Sequence, residues 1–230
     1  MNVLAHLKLK MLRNYFRLAL QIVVLYGFSV AHAGSYEDFF IAIKQDNARV
    51  VAELLNRGFD PNTLSPSRDY GLILALREPS LLVTEILIKW PATQVEVRSA
   101  KDESPLMLAA LHGLTDVCRQ LIVRGADVNK PGWAPLHYAA THGHLEVMDL
   151  LLEQYAYIDA ASPNGTTPLM MAARYGTPEA VKLLLQAGAD PSLKNSLGFN
   201  ALDFALQADR KDSAALISAF VRSLQPKGSW

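Results

Sequence analysis

A ten-letter block recurs along this chain at a nearly fixed spacing. SPLMLAALHG (104–113), APLHYAATHG (134–143) and TPLMMAARYG (167–176) align, with Pro105, Pro135 and Pro168 at the same place in each. The segments that follow repeat in step. They read TDVCRQLIVRGADVN, LEVMDLLLEQYAYID and PEAVKLLLQAGADPS, and Gly125, Tyr155 and Gly188 keep the same spacing as the prolines. A weaker copy follows at NALDFALQAD (200–209), and upstream RGFDPN (57–62) precedes RGADVN by close to two periods. The copy between them, YGLILALREP to IKWPAT, is degenerate. Self-similarity at such a period confines the chain to a stack of one supersecondary unit, because a single unit cannot bury its own apolar faces.

The chemistry of each block specifies the unit. Ser104 or Thr167 followed by proline is a helix start: the hydroxyl satisfies an orphan amide, and proline lacks the N–H that would be orphaned there. Ala134 lacks that hydroxyl. Gly113, Gly143 and Gly176 interrupt each short helix, and a second helix follows with apolar residues such as Val147, Leu150 and Leu151 over a wide arc, as expected of a helix covered on two sides. Gly58, Gly125 and Gly188 close the second helices, where glycine adopts the left-handed conformation cheaply. Tyr155 stands in that place in the third copy, so either it stores roughly 1 kcal/mol of strain or the turn there differs.

These residues resemble the ankyrin repeat. The family's opening motif is matched best by Ala134-Pro135-Leu136-His137 with Ala139-Ala140 and Gly143-His144, and its close by Gly188-Ala189-Asp190. The resemblance covers nearly all of residues 35–221. It implies an all-α solenoid of helix-turn-helix units with β-hairpin fingers, about five or six units including caps, over residues 34–224. Both ends are atypical, as a stack's ends must be. Residues 36–60 lack the proline opening and place Glu37 and Asp38 in a first helical turn, DSAALISAFVRSL (212–224) lacks the Gly-Ala-Asp close, and 225–230 read as a flexible tail.

The segment from Met1 to Ala33 is a different object. It carries Lys8, Lys10, Arg13 and Arg17 and no acid, so the rest of the chain is net acidic. Leu18 to Val30 form an apolar run, and Ala31-His32-Ala33 follow. A basic start, a short apolar stretch and a small-x-small site are the parts of a secretory signal peptide. Cleavage near Ala33 and a periplasmic or secreted location are expected. The rival is a retained anchor, although a spanning helix needs about 20 apolar residues. Met1 and Met11 are alternative starts. Only Cys118 remains after Ala33, so no intrachain disulfide can form, and the thiol reads as an apolar filler of a helix.

No nucleophile elbow, phosphate-binding glycine loop or zinc-protease motif occurs, so no enzyme and no cofactor are expected. His112, His142 and His144 invite a metal reading, but no carboxylate or cysteine joins them at a ligand spacing. His137 is expected to hydrogen-bond within its own finger. With half the residues hydrophobic and the part after Ala33 net acidic, disorder and nucleic-acid binding are both disfavoured.

The remaining partner is another protein, met by a monomer. In ankyrin-type stacks the binding face is concave, formed by finger tips and first helices. On this chain the two positions after each Ala-Ala pair are Leu111 and His112, Thr141 and His142, and Arg174 and Tyr175. The finger positions before each opening motif are Glu103, Trp133, Thr166 and Phe199. Aromatic residues and arginine dominate interface energetics, which selects Trp133, His142, Arg174, Tyr175 and Phe199. Two alternatives stay open: Trp133 can instead fill its finger, which is shorter than the next by three positions, and Leu197 and Phe199 can pack on the C-terminal cap. The family resemblance to exported bacterial proteins implies an accessory or stress-related periplasmic binder, or alternatively an immunity-type inhibitor of a toxic effector; a histidine metal-binding protein is the third reading.

Overall fold

A computed structural model describes residues 34–224. The signal segment with its Ala33 cleavage site and the tail 225–230 lie outside the described residues. The described chain folds into six helix pairs. These are α1 (34–44) with α2 (Ala48–Asn56), α3 (Gly71–Arg77) with α4 (Leu81–Lys89), and α5 (Pro105–Leu111) with α6 (Thr115–Val123). They continue with α7 (Pro135–His142) and α8 (Leu145–Glu153), α9 (Pro168–Tyr175) and α10 (Pro178–Gln186), and α11 (Ala201–Gln207) and α12 (Lys211–Leu224).

The start signals act as read. Ser104 Oγ accepts from the Met107 N–H at 3.2 Å and Thr167 Oγ1 from the Met170 N–H at 3.4 Å, each just ahead of a proline at the first helical position. Ala134 offers no side-chain cap, so the His137 N–H donates to the Ala134 carbonyl instead, at 3.0 Å, while His137 Nδ1 accepts the Ala134 N–H at 3.1 Å.

Odd-numbered helices stack in one layer and even-numbered helices in the other. Ala109-Ala110, Ala139-Ala140 and Ala172-Ala173 are fully buried between consecutive odd helices, and their small side chains let these helices approach more closely than the even ones. The stack therefore curves toward the odd layer, which becomes the concave face. A continuous core of apolar side chains, from Phe39 and Ile43 to Ile217, runs between the layers. At the N-terminal end α1 covers α3 so tightly that a β-carbon on Gly71 would lie 2.9 Å from the Phe39 ring.

Tyr155 resolves its two readings: it takes the left-handed conformation, φ 62°, as Gly125 and Gly188 do at φ 90° and 100°. The turn is the same and the strain is present.

The fingers differ from β-hairpins. A single isolated bridge, Leu64 with Tyr70, occurs among the described residues. Four fingers are instead closed by five-residue turns, in which the backbone N–H of Ser65, Ser99, Ser162 and Asn195 donates to the carbonyl four residues on, at 2.9–3.0 Å. Arms this short cannot form a ladder, and side chains tie finger to finger. Asn62 donates to the Ala92 carbonyl and accepts from the Gln94 N–H, at 2.8 Å each. Asn129 repeats this with the Tyr155 carbonyl and the Tyr157 N–H, at 2.8 and 2.7 Å. The finger before α7, NKPGW, is the short one, and it makes no such five-residue closure.

Candidate functional site on the concave face

The short finger leaves a cleft. Leu111 from α5, Trp133 from the finger, His137, Tyr138 and Thr141 from α7, and Met171 from α9 enclose about 230 Å³ on the concave face. All but His137 are half-buried. Two polar handles face no protein partner: the Trp133 indole N–H and the Tyr138 hydroxyl make no hydrogen bond among the described residues. Thr141 Oγ1 is already committed to the His137 carbonyl at 2.7 Å.

The floor of this cleft is rigid. His137 is fully buried and joins two repeats, because its Nε2 lies 3.0 Å from the Thr166 carbonyl while Nδ1 takes the Ala134 N–H. An Nδ1 that accepts and an Nε2 that donates define one neutral tautomer. Burial holds the imidazole below its ordinary pKa, outweighing its hydrogen bonds to the backbone of Thr166, Ala134 and Ala160. His137 thus reaches beyond its own finger, where the sequence alone places its bonds. Trp133 leans edge-on against His137, ring centroids 5.2 Å apart, so the residue packs inward and still forms one wall of the cleft.

The N-terminal flank is acidic but neutralised. Arg77 holds Asp69 at 2.7 Å and Glu103 at 2.8 Å, Ser99 donates to Glu103 at 2.9 Å, and Lys130 pairs with Asp102. Burial pushes the Glu103 carboxyl up, but the Arg77 and Ser99 hydrogen bonds and the Arg77 and Lys101 charges outweigh it and hold the group below its usual range. Burial, then the charges of Glu103 and Asp102, raise the Tyr138 hydroxyl above its ordinary pKa, so it is a neutral donor at pH 7.

The C-terminal flank is cationic and uncommitted. Arg174 is half-buried over the rings of Tyr175 and Phe204, 5.3 and 5.9 Å from their centroids, and reaches Gln207 Oε1 at 3.4 Å. It makes no ion pair among the described residues. Tyr175 is 55% exposed beside it. Of the five residues selected from sequence, Trp133 lines the cleft, while Arg174 and Tyr175 lie one helical turn along α9 from its Met171 wall. His142 is exposed at the end of α7 and stacks on His144, centroids 5.8 Å apart. Phe199 lies one repeat further along, 37% exposed, with its N–H and carbonyl both fixed by Asn195. Leu197 is 72% exposed, so the cap does not bury it.

Tyr138 and Met171 are absent from the sequence-derived set. Each sits three residues before a selected or neighbouring concave position, Thr141 and Arg174, and i, i+3 spacing on a helix places them on one face. Among the described residues no group of three His, Cys, Asp or Glu side chains is arranged to hold a metal. His144 Nε2 lies 2.9 Å from the Leu111 carbonyl and spans two repeats. Cys118 is fully buried, and burial pushes its thiol up to about 12.

A model of ankyrin repeats matches three times, over residues 39–131, 72–162 and 156–221. The chain belongs to the ankyrin-repeat family. Over 179 residues, 75% of its length, it is 30% identical to the nuclear factor NF-kappa-B p105 subunit of Gallus gallus, spanning 18% of that protein. Over 119 residues, half its length, it is 34% identical to neurogenic locus notch homolog protein 1 of Xenopus tropicalis, spanning 5% of it. The chain thus spans less than a fifth of these curated relatives. A solved chain comes from the complex of the predatory endopeptidase Bd0816 of Bdellovibrio bacteriovorus with immunity protein Bd3460. It superposes with a TM-score of 0.69 at 28% identity, covering 79% of this chain and 97% of that one. Ankyrin repeats are protein–protein interaction modules, and no helix among the described residues is long and apolar enough to cross a membrane.

Proposed function

We propose that this chain is an exported, non-catalytic, monomeric binding protein that holds a protein partner on its concave face, around the cleft of Leu111, Trp133, Tyr138 and Met171. The observation that carries the reading is that cleft: large half-buried side chains with two unsatisfied donors, on rigid first helices, beside an arginine without an acid. Fixed aromatic anchors are what concentrated interface energy requires. Export to the periplasm rests on the basic start, apolar run and Ala31-His32-Ala33 of the sequence.

A second reading, inhibition of a toxic effector, draws on the structural neighbour. That chain is covered over 97% of its length, and its complex pairs an endopeptidase with an immunity protein. On this reading the concave face would occlude an exported enzyme.

The test is affinity capture from a periplasmic extract, comparing the unaltered chain with Tyr138→Arg, which fills the cleft, and with Lys182→Glu, on the exposed side of α10. The reading expects a protein that is captured by the unaltered chain and Lys182→Glu and lost with Tyr138→Arg. Loss with Lys182→Glu alone would overturn it. N-terminal sequencing of the exported protein is expected to begin at Gly34.

A further inference from the structure

The charges around the cleft are unevenly committed. Asp69 and Glu103 share Arg77, with the Lys101 charge also acting on Glu103, and Asp102 pairs with both Lys130 and Arg98, so the acidic flank has no net demand for a partner's cation. On the other side Arg174 has a single weak polar contact, to Gln207 at 3.4 Å, and its guanidinium is held in place by aromatic faces rather than by a carboxylate. Desolvating that cation under a partner without supplying an anion would be costly. The cleft itself is lined mainly by apolar surface of Leu111, Trp133, Tyr138 and Met171, and the Trp133 indole N–H and Tyr138 hydroxyl have no hydrogen-bond partner among the described residues.

The two features lie at a fixed separation. Met171, a wall of the cleft, and Arg174 are three residues apart on α9, one helical turn, so their side chains are neighbours about 5–6 Å apart. An extended peptide advances about 3.3 Å per residue and directs residues i and i+2 to the same side. A side chain in the cleft and one on Arg174 therefore correspond to alternate residues of an extended segment.

Resting on the concave-face reading above, we infer that the occupant is an extended segment of a partner protein with an aromatic or large aliphatic residue in the cleft. An aspartate or glutamate two positions away pairs with Arg174. Arginine suits this role because its planar fork grips a carboxylate bidentately, and its guanidinium is preorganised here by the rings of Tyr175 and Phe204.

Selection from a display library of random extended peptides against the purified chain tests this. The unaltered protein is expected to enrich a large apolar residue paired at two positions with Asp or Glu. Replacing that acid by lysine in a selected peptide is expected to weaken binding about fivefold, the scale of a partly exposed ion pair. Arg174→Glu is expected to shift the enriched acid to Lys or Arg while keeping the apolar anchor, a change of preference that mere loss of structure would not produce. Enrichment of the anchor with no acid preference, an unaltered preference in Arg174→Glu, or no enrichment would each overturn the inference. Tyr138→Arg separates the two levels. If peptides without acid preference are lost in that variant, the pairing with Arg174 fails and the concave reading stands; if binding is indifferent to it, the concave reading fails as well.

Discussion

Replacing Tyr155 with glycine is expected to stabilise the protein. Tyr155 closes α8 at φ 62° and is 85% exposed as a residue, so it carries the left-handed strain and returns little buried area. That conformation costs a residue with a β-carbon about 1–2 kcal/mol. Glycine removes the cost but loosens the unfolded chain by about 0.4–1 kcal/mol. The net gain is about 0.5–1 kcal/mol, or about 2–3 °C in Tm for a domain of this size. Gly188→Ala is the mirror experiment. At φ 100° its added β-carbon would meet nothing within 4 Å, so the expected loss of about 0.5–1 kcal/mol is purely conformational. Gly176→Ala isolates the opposite term. Its φ of −80° suits any residue, but a β-carbon would lie 2.4 Å from the Ala140 carbonyl oxygen, and about 3 kcal/mol is expected to be lost to overpacking. Urea unfolding midpoints read all three. Destabilisation by Tyr155→Gly would refute the argument that the backbone, and not the side chain, sets the energetics of this turn.

Further expectations concern the core and the ion cluster. Cys118, buried and with its thiol pushed up to about 12, is expected to resist a thiol reagent at pH 8 in the folded protein and to react on unfolding. His137→Gln is expected to cost about 1–3 kcal/mol by unpairing the Ala134 N–H and the Thr166 carbonyl. His137 and Glu103 both have folded-state pKa values below their unfolded ones, so each contributes stability above its unfolded pKa that is lost as pH falls through the folded one. Acid unfolding should accordingly show a loss beginning below about 6.5 that His137→Gln removes, and another beginning below about 4.5 that Arg77→Ala removes. Truncating Arg174 and Tyr175 together is expected to weaken partner binding by about 2 kcal/mol, measured by calorimetry, with unchanged circular dichroism.

The stack is legible in the sequence because its determinants are local and recur. Pro105, Pro135 and Pro168 mark helix starts wherever they occur, and the Ala-Ala pairs mark the buried contact of adjacent units. What escapes is interaction between repeats. Asn62 and Asn129 stitch finger to finger across about one period, and Arg77 meets Glu103 in the next finger; neither partner is fixed by its neighbours in sequence. His137 reads as serving its own finger for the same reason, although its Nε2 serves Thr166 in the next. The fingers read as hairpins and are turns, because Ser65, Ser99, Ser162 and Asn195 close each loop over only five residues. At the site, the aromatic and arginine positions after each Ala-Ala pair can be chosen from sequence, but the cleft arises from the shortened finger before α7. A deletion states that space is left without saying which side chains border it, so Tyr138 and Met171 emerge only from the folded arrangement.

Hydrogen–deuterium exchange on the captured complex tests the concave-face account most directly. Binding is expected to protect amides of the short finger and the first helices, residues 130–142 and 166–175, while α8 and α10 exchange as in the free protein. Protection confined to α8 and α10, with the short finger and α7 unchanged, would contradict the account and put the partner on the convex side.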